Sequence, residues 1–393
     1  MSATRTTPEH YLFTEEHELL RASVAAWARE RVQPHIAEWE AAREFPREIF
    51  EELGGLGYLG AQYPEEYGGQ GSDLAANIVL IEELSRIGAE SVSMAIGVHT
   101  AMATPPILKF GTPQQRQHYL PDLLAGRKIA ALGISEPDAG SDVSAIRTRA
   151  TRADGGWVLN GSKTFITNGS RADVVLVVAR TSPENAGKPS FSLFLVDTAQ
   201  PGFVRGRTLE KLGRHAVDTA ELTFENIELP EDALLGEEGK GFGQIMWELD
   251  AERIVAAAAA VALGFYAFDL AVEYIRNRHQ FGRSIADFQA IRHELATRVA
   301  MLTAARELVH STARRFQLGE ERMPEIAMAK LVAANALTEM ADYALQVHGG
   351  YGYMAEYPIG RVWIDARLRR ISAGTDEIQR EIIARHLIGK TAR

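Results

Sequence analysis

"DVVLVVARTSPENAGKPSFSLFLVD", residues 173–197, consists of two short apolar runs on either side of a polar segment. The runs "DVVLVVAR" and "SFSLFLVD" are rich in Val, Phe and Leu, as is typical of β-strands. The segment "SPENAGKPS" between them contains Pro, Gly, Asn and Ser, which favour turns. These residues therefore predict two strands joined by a turn.

The same pattern extends over a longer region, from Ile129 to about Leu229. "AELTFENIEL" is a further predicted strand, and "ADGG" is a further predicted turn. No helical segment of useful length interrupts these runs, so the alternating strands and helices of a parallel sheet are not expected. We predict a compact antiparallel β-domain.

Helical periodicity precedes this region, from Thr14 to about Arg127. In "FTEEHELLRASVAAWARERVQP", Thr14 is the predicted cap, acidic residues fill the first turn, and Pro34 is the predicted end. The apolar residues on one face of this helix are Leu20, Val24 and Trp27. Further helices are predicted at residues 47–53 and 74–87, and on either side of Pro105 and Pro106.

Helical periodicity returns after Lys240, with helices predicted at residues 242–278, 285–318, 323–348 and 376–388. Their lengths suit a four-helix bundle. The predicted fold class is α+β, with an N-terminal all-α domain, a middle antiparallel β-domain and a C-terminal four-helix bundle. The predicted domains are residues 1–128, 129–238 and 239–393.

Composition excludes several classes of function. The net charge of -10 argues against a nucleic-acid partner. The absence of cysteine excludes disulfides, thiolate metal sites and a cysteine nucleophile, and it fits a cytoplasmic location. No metal site is predicted.

"MSATRTTPEH" lacks the apolar core of a signal peptide, so no export is expected. The apolar run "VAAAAAVALGFYAF", residues 255–268, is shorter than a membrane span and predicts a buried helix.

Three polar or glycine-rich segments leave their interpretation open. "GLGYLG", residues 55–60, matches the G-x-G-x-x-G pattern of dinucleotide-binding folds, but it follows a predicted helix, which favours a helix end and turn. "ALGISEPDAGSD", residues 131–142, offers hydroxyls and backbone N–H groups, yet an ordinary polar turn has the same composition. In "NGSKTFITNGSRAD", residues 160–173, the aromatic and hydroxyl side chains suit either the core or a flat ligand.

"ISAGTDEIQREI", residues 371–382, contains a helix start with almost no side chains before it. Thr375 can cap the helix, and Asp376 and Glu377 suit the positive end of its dipole. Ala373 and Gly374 precede them, so free backbone N–H groups are accessible to a ligand at this point.

Five strings together resemble the acyl-CoA dehydrogenase family: "ISEPDAGSD", "LNGSKTFITNG", "RNRHQFGRSI" with "FQAI", "QVHGGYGY" and "AGTDEIQR". They occur in the order and approximate spacing of that family, and the resemblance covers the chain from about Thr14 to Ile388. It implies a bound FAD, usually in a homotetramer, and oxidation of an acyl-CoA thioester to the 2,3-enoyl-CoA.

The resemblance also implies the residues that contact FAD. Ser135 would lie near the isoalloxazine and Ser141 toward the CoA chain, while Phe165, where the family often has Trp, and Thr167 would flank the ring. The contacts from Arg278 to Gly350 would serve the pyrophosphate and adenosine, partly across a subunit interface. The full set is Leu132, Ile134, Ser135, Gly140, Ser141, Phe165, Ile166, Thr167, Arg278, Gln280, Phe281, Gln289, Gln346, Val347, Gly349, Gly350, Thr375 and Glu377.

The reaction needs a carboxylate that takes the α-proton. Many family members carry a Glu at the position of Ala373, where this chain has none. The isovaleryl-CoA and long-chain acyl-CoA dehydrogenase branches carry it on an earlier helix, directly before an Arg, with a small residue at the later position. Glu252 before Arg253 matches that arrangement.

The residues around Glu252 point the same way. Three and four positions away on the helix lie Leu249, Val255, Glu248 and Ala256, so no cation shares its face. A wall of Val and Ala disfavours the charged form of a carboxyl group, which suits a general base. The alternative is a solvated Glu in an early helical turn, since Glu is mostly exposed.

The remaining roles also come from the resemblance. The backbone N–H of Ala373 and a flavin ribityl hydroxyl would bind the thioester oxygen. The predicted acyl-CoA contacts are Ser141, Asp250, Arg253 and Gly374. An electron-transfer flavoprotein would accept the electrons. Two alternatives are an acyl-CoA oxidase or other flavin enzyme of the same fold, and, because of Ala373, a non-catalytic flavin-bearing scaffold or binding protein.

Overall fold

The computed structural model of the chain describes residues 12–183, 189–320 and 323–389. Helices precede and follow a β-sheet, which confirms the predicted fold class. The α-helices are α1 (Glu15–Trp27), α2 (Ile36–Ala42), α3 (Glu48–Gly55), α4 (Leu74–Arg86), α5 (Glu90–Gly97), α6 (Pro105–Phe110), α7 (Pro113–Leu124), α8 (Gly241–Asn277), α9 (Gln289–Gln317), α10 (Met323–His348), α11 (Pro358–Leu368) and α12 (Asp376–Ile388). The strands are β1 (Ala130–Gly133), β2 (Arg149–Ala153), β3 (Gly156–Thr167), β4 (Val174–Arg180), β5 (Phe191–Asp197), β6 (Phe203–Thr208), β7 (Thr219–Pro230), β8 (Leu234–Leu235), β9 (His279–Gln280) and β10 (Arg283–Ser284).

The first eight strands form one sheet in the order β6-β7-β3-β2-β4-β5-β8, with β1 paired to β4. Most neighbouring strands run antiparallel, as predicted. However, β1 runs parallel to β4, and β2 meets β4 in one parallel pair, so the sheet is mixed. A parallel pair needs a long crossover connection, and the segment between β1 and β4 supplies it because it contains β2 and β3.

The strands predicted from the apolar runs are confirmed. β4 and β5 pair in antiparallel fashion from Val174 opposite Asp197 to Arg180 opposite Phe191. Both strands are buried along almost their whole length, which explains their continuous apolar sequence. Residues 184–188 of the predicted turn between them lie outside the described residues. The predicted turn "ADGG" joins β2 to β3, and Gly155 in it has a φ of 80°.

The first N-terminal helix has its predicted cap, but the helical segment does not end at the predicted proline. Thr14 caps α1, as predicted, and its hydroxyl accepts a hydrogen bond from the His17 N–H at 3.4 Å. The prediction that Pro34 ends the helical segment is wrong, because Pro34 lies in a 3-10 turn, Gln33–His35, that continues into α2. Helices lie on either side of Pro105 and Pro106, as predicted: α5 precedes them, and the two prolines form the first turn of α6. Proline is tolerated in a first helical turn because its missing N–H needs no partner there.

The C-terminal helices α8, α10 and α12 lie where they were predicted. α9 begins at Gln289 rather than at residue 285, because residues 285–287 form a 3-10 turn capped by Ser284. The short helix α11, which begins at Pro358, was not predicted. The string "GLGYLG" begins at Gly55, the last residue of α3, and contains a left-handed Gly57, so the helix-end interpretation is confirmed.

The chain divides into two compact units. Unit 1 comprises Met1–Ala37, Asp73–Ser93 and Arg253–Arg393, and unit 2 comprises Glu38–Ser72 and Met94–Glu252. In unit 2, one core packs Leu120 and Leu123 of α7 against Leu176 of the sheet, and a second core contains Trp157 and Phe194. In unit 1, a Cβ added at Gly264 of α8 would lie 2.6 Å from Leu302 Cδ1 of α9, so these helices pack closely.

α8 is long and apolar enough, by length and composition alone, to cross a membrane. The shorter apolar run within it did not suggest this. Its most apolar window is 67% buried inside the protein, and Ala258, Ala259 and Leu263 are fully buried. α8 is therefore a core helix, as predicted.

Candidate active site

A cleft of about 530 Å³ opens in unit 1 at the end of α8. Its walls come from the last turns of α8 and α10 and from the β9–β10 hairpin with the turn after it. Five of its residues are predicted cofactor contacts: Arg278, Gln280, Val347, Gly349 and Gly350. The rest of the wall consists of Tyr274, Ile285, His348, Tyr351 and Met354. Two of the strings that are far apart in the sequence therefore meet at one cleft.

The chemistry of this cleft suits an anion joined to a flat ring. The Arg278 guanidinium carbon lies 5.6 Å from the centre of the Tyr351 ring, and the Tyr274 and His348 rings stack with centres 4.2 Å apart. Burial lowers the pKa of His348, which favours the neutral ring. A Cβ added at Gly349 or Gly350 would meet no atom within 4 Å, so their backbone is open to a ligand.

Three predicted contacts of the same group do not line the cleft. Phe281 is 92% exposed, and Gln289 and Gln346 are exposed as well. Phe281 lies in the β9–β10 turn with a φ of 52°, and its ring packs edge-on against Phe288 with centres 6.2 Å apart. These side chains therefore lie on the surface of unit 1.

In unit 2, predicted flavin contacts follow β1. Leu132 is buried, Ile134 and Ser135 are half-buried, and Gly140 and Ser141 are exposed in the loop that follows. Among these predicted contacts, exposure rises from the sheet to the loop, which puts the hydroxyl of Ser141 in reach of solvent and of a ligand.

A buried ion pair closes the base of that loop. Lys163 Nζ lies 2.8 Å from Glu136 Oε1 and donates to the Ile134 carbonyl at 2.9 Å. Glu136 also accepts hydrogen bonds from the backbone N–H groups of Arg147, at 2.7 Å, and Thr148, at 2.9 Å. The pair therefore ties the start of the loop to its end.

The electrostatics of the pair follow from its burial. Loss of solvent lowers the pKa of Lys163 to about 8, although the charge of Glu136 opposes the shift. Burial alone would raise the pKa of Glu136, but the charge and hydrogen bond of Lys163, with the bonds from Thr148 and Arg147, hold it below its ordinary value. The carboxylate is thus the better stabilised partner.

The side chains at the end of β3 show which residues of "NGSKTFITNGSRAD" belong to the core and which are open to a flat ligand. Ile166 is 2% exposed and packs in the core of unit 2, so its side chain is structural. Phe165 is 68% exposed with a φ of 61°, and Thr167 is half-buried. The aromatic ring therefore faces away from the core and is available to a flat ligand.

Left-handed backbone marks the predicted site. Such a conformation is uncommon and costly for a residue with a side chain, and it concentrates at functional positions. The described non-glycine residues with positive φ are Arg43, Phe165, Asn168, Arg214, Asn226, Phe281 and Ala373. Three of them, Phe165, Phe281 and Ala373, are predicted site residues.

The middle of α8 carries acidic side chains with different exposure. Glu252 is 9% exposed and Glu248, one turn earlier, is fully buried, whereas Asp250 is half-buried. Arg253 is 5% exposed. The solvated alternative for Glu252 is therefore wrong, because the residue is buried.

The bare turn before α12 has two consecutive left-handed residues, Ala373 with a φ of 56° and Gly374 with a φ of 86°. Arg253 Nε donates to the Ala373 carbonyl at 3.3 Å, within unit 1. Among the described residues, the Ala373 N–H donates to no partner. This amide is therefore available to an acceptor from outside the chain.

The first turn of α12 carries the last predicted contacts. The Thr375 hydroxyl caps the helix by accepting from the Ile378 N–H at 3.3 Å. Glu377 is exposed, and hydrogen bonds from its own N–H and from Thr375 lower its pKa. Both residues thus offer polar atoms next to the bare turn.

Several residues that shape these sites were not predicted. Tyr274 has a sequence signal, since it lies one helical turn before Arg278, and Tyr351 is part of the string "QVHGGYGY". Lys163 also has one, as the single cation in the sequence of β3. Lys330 on α10 had no signal that separates it from a solvated lysine.

Comparisons with known proteins cover almost the whole chain. Three family models match: "Acyl-CoA dehydrogenase, N-terminal domain" over residues 14–127, "middle domain" over 131–227 and "C-terminal domain" over 239–388. The long-chain specific acyl-CoA dehydrogenase of Sus scrofa is 42% identical over 96% of this chain and 87% of its own length. The isovaleryl-CoA dehydrogenase of Oryza sativa is 40% identical, over 96% and 92% respectively.

The fold is shared with solved structures as well. The crystal structure of acyl-CoA dehydrogenase from Geobacillus kaustophilus superimposes with a TM-score of 0.93 at 38% identity, and covers 97% of this chain and 100% of the other. Members of the matched family are flavoproteins. The cleft beside Arg278 and the exposed rings described above fit a cofactor of that kind.

Proposed function

Because the chain belongs to the acyl-CoA dehydrogenase family, oxidoreductases that act on CH–CH groups, we propose that it oxidises an acyl-CoA thioester to the 2,3-enoyl-CoA. Glu252 takes a proton from the α-carbon. Bound FAD supplies the acceptor for the hydride that leaves the β-carbon. The observation that carries the proposal is a buried Glu252 directly before Arg253, together with the small residue Ala373 at the bare turn.

The surroundings of Glu252 support its role as the base. Its side chain is 9% exposed, and its helix neighbours Val255 and Leu249 are apolar. A carboxylate withdrawn from water gains by accepting a proton, because its charged form is poorly solvated. Likeness to long-chain and isovaleryl-CoA dehydrogenases supports the same assignment, since the resemblance puts the base on this helix in those branches.

Two sets of side chains support FAD binding. In unit 1, the cleft beside Arg278 offers a guanidinium, stacked rings and bare glycine backbone, which suit a pyrophosphate and an adenine. In unit 2, the exposed Phe165 and half-buried Ser135 offer a ring face and a hydroxyl. The FAD contacts we propose are Leu132, Ile134, Ser135, Gly140, Ser141, Phe165, Ile166 through its backbone, Thr167, Arg278, Gln280, Phe281, Gln289, Gln346, Val347, Gly349, Gly350, Thr375 and Glu377.

The assembled form we propose is a homotetramer. Phe281, Gln289 and Gln346 are exposed on unit 1 and do not line its cleft. In a tetramer they would contact the FAD of a second subunit, which gives an exposed Phe at a left-handed position a partner.

The backbone N–H of Ala373 is the proposed donor to the thioester oxygen. Removal of the α-proton puts negative charge on that oxygen, and a donor fixed before the reaction lowers the barrier. The amide is available because no described residue accepts its hydrogen bond. A backbone donor does not depend on the side chain at residue 373.

The proposed acyl-CoA contacts are Ser141, Asp250, Arg253 and Gly374. Ser141 is exposed and Asp250 is half-buried, so both have polar atoms in reach of a ligand. A panel of straight and branched acyl-CoAs would identify the preferred acyl group.

The electrons would pass to an electron-transfer flavoprotein, as the family membership implies. The absence of cysteine supports a cytoplasmic location.

The test is anaerobic bleaching of the bound flavin by acyl-CoA in wild type, Glu252→Gln and Glu248→Gln. Glu248 is a matched control because it is a buried carboxylate one turn earlier on the same helix. We expect wild type and Glu248→Gln to bleach at similar rates, and Glu252→Gln to be slower by about 10²–10⁴-fold, the usual range for a general base.

Two outcomes would contradict the proposal. Bleaching of Glu252→Gln at the wild-type rate would show that another group is the base. No bleaching of wild type by any acyl-CoA in the panel would leave a flavin-bearing binding protein as the function.

A further inference from the structure

The turn formed by Ala373 and Gly374 cannot hold its conformation by itself. Two consecutive residues have φ values of 56° and 86°, and the first of them carries a Cβ. A left-handed residue with a side chain persists only where its surroundings over-determine it. The atoms that hold this turn are therefore as important to the proposed site as the turn itself.

Besides Arg253, which donates to the Ala373 carbonyl, two further side chains hold the carbonyl groups of the turn. Lys330 Nζ donates to the Gly374 carbonyl at 2.7 Å. Gln379 Nε2 donates to the carbonyls of Ala373 and Gly374, each at 3.0 Å. All these atoms lie in unit 1, with Lys330 on α10 and Gln379 on α12.

Both donors are buried, which argues that their contacts matter. Lys330 is 2% exposed and Gln379 is fully buried. Lysine is almost never buried unless its ammonium group has partners, because removing a charge from water costs free energy. The fit around the turn is also tight, since a Cβ at Gly374 would lie 2.9 Å from Gln379 Nε2.

The segment just after the turn is anchored to the same helix. Asp376 is 2% exposed and accepts hydrogen bonds from Arg370 Nε at 2.7 Å and from Asn335 Nδ2 at 3.3 Å. Asn335 lies on α10, as Lys330 does. α10 therefore fixes the turn at Gly374 and the helix start at Asp376.

We propose that Lys330 is a positioning residue, which together with Gln379 fixes the Ala373–Gly374 turn so that the Ala373 N–H meets the thioester oxygen. This inference rests on the proposed function of that N–H. Each held carbonyl prevents its peptide group from rotating, which fixes ψ of Ala373 and of Gly374. Without Lys330 the turn relaxes, the N–H loses its direction, and the donor contributes less.

The experiment compares wild type, Lys330→Met, Gln379→Met and Thr338→Val as FAD-loaded proteins. Methionine keeps the length of both side chains without their donors. Thr338 is the control because it lies on the same helix and its hydroxyl bonds to the α10 carbonyl of Ala334, at 2.7 Å. The probe is trans-2-octenoyl-CoA labelled with ¹³C at the thioester carbonyl, whose infrared stretching frequency falls when its oxygen accepts hydrogen bonds.

We expect wild type and Thr338→Val to lower the carbonyl frequency of the bound probe equally. Lys330→Met shifts it back toward the free value and slows flavin reduction by acyl-CoA about 10- to 100-fold, as expected when a catalytic donor is misplaced. Flavin content and probe affinity change less than the rate does. Gln379→Met shifts the carbonyl frequency in the same direction. It tests the same inference if Lys330→Met does not fold.

The inference is overturned if Lys330→Met and Gln379→Met, as folded proteins, give the wild-type frequency and rate. A different result would contradict the proposed function instead. If wild type itself leaves the carbonyl frequency of the probe at its free value, the Ala373 N–H is not a donor to the thioester.

Discussion

Two buried lysines hold backbone at the two candidate regions, and they do so differently. In unit 2, Lys163 donates to the Ile134 carbonyl at the start of the loop and also pairs with Glu136, whose carboxylate accepts hydrogen bonds from two further backbone N–H groups. In unit 1, Lys330 donates directly to the carbonyl of Gly374 in the bare turn. The first arrangement is an ion pair within a network, and the second is a contact with the strained turn itself.

The two lysines are therefore expected to have different roles: Lys163 stabilises the fold, and Lys330 positions the turn. Removing Lys163 leaves a buried carboxylate without its cation, which is costly for the folded state as a whole. Removing Lys330 takes away one of the two donors to the Gly374 carbonyl, so its main consequence falls on the geometry of the short turn and of the neighbouring N–H. We expect the first loss to appear mostly in unfolding and the second mostly in the reaction.

The largest effect on stability is expected for Lys163→Met. Breaking one partner of a buried ion pair destabilises a protein by about 3–5 kcal/mol, because the other charge stays buried and uncompensated. Denaturant unfolding of the FAD-free protein would measure the free energy of unfolding. The double variant Lys163→Met with Glu136→Gln removes both charges and should regain part of the loss.

If Lys163→Met is as stable as wild type, Glu136 does not depend on Lys163, and the contrast between the two lysines disappears. If the double variant is less stable than the single one, the carboxylate rather than the pair is what holds the loop.

The next largest effect is expected for Gly374→Ala compared with Gly350→Ala. At Gly374 the φ of 86° strains any side chain, and the new Cβ would lie 2.9 Å from Gln379 Nε2, so we expect a loss of about 1–2 kcal/mol. At Gly350 a Cβ meets nothing within 4 Å, so stability should be unchanged while FAD dissociates more readily. Thermal unfolding and flavin fluorescence would measure the two.

If Gly350→Ala retains FAD as tightly as wild type, the proposed contact between FAD and Gly350 is wrong. If Gly374→Ala unfolds at the wild-type temperature, the turn is not strained.

A smaller effect is expected in the pH dependence of stability. The pKa of Lys163 falls from 10.5 to about 8 on folding, so between these pH values the unfolded state binds more protons than the folded state. The free energy of unfolding from this group therefore rises with pH, by at most about 1.4 kcal/mol per pH unit. Between pH 8 and 9 the gap between wild type and Lys163→Met should widen by about 1 kcal/mol, and a constant gap would show that Lys163 does not titrate there.

The smallest effect on stability is expected for Phe165→Gly. Glycine relieves the left-handed strain at a φ of 61°, worth about 1 kcal/mol, but costs a similar amount of chain entropy. Because the ring is 68% exposed, little packing is lost. The free energy of unfolding should stay within about 0.5 kcal/mol of wild type, while the visible spectrum of bound flavin changes. An unchanged spectrum would remove Phe165 from the flavin site.

Much of the fold could be predicted from the sequence because its signals are local. The apolar runs of β4 and β5 and the cap at Thr14 depend on neighbouring residues, and these elements lie where they were predicted. The parallel pairing of β1 with β4 joins remote segments, so no local pattern indicates it. Pro34 misled because proline stops a helix or starts one, depending on the turn it occupies.

The residues of the candidate site also divide into those with a local sequence signal and those without one. Arg278 and Gly349 carry chemistry in short strings, and the structure brings them to one cleft. Lys330 acts on Gly374 across 44 residues, and a lysine in a helix resembles a solvated one until its partner is known. Sequence reasoning therefore found the groups that line the candidate cleft more readily than a group that holds the backbone of the turn.

The central claim is that Glu252 removes the α-proton, and one exchange measurement tests it most directly. 3,3-Dimethylbutanoyl-CoA has no hydrogen on its β-carbon, so it cannot donate hydride, and exchange of its α-hydrogens with D₂O reports proton removal alone. Followed by mass spectrometry, wild type and Glu248→Gln should exchange these hydrogens, and Glu252→Gln should do so at least about 100-fold more slowly. Exchange by Glu252→Gln at the wild-type rate would contradict the claim.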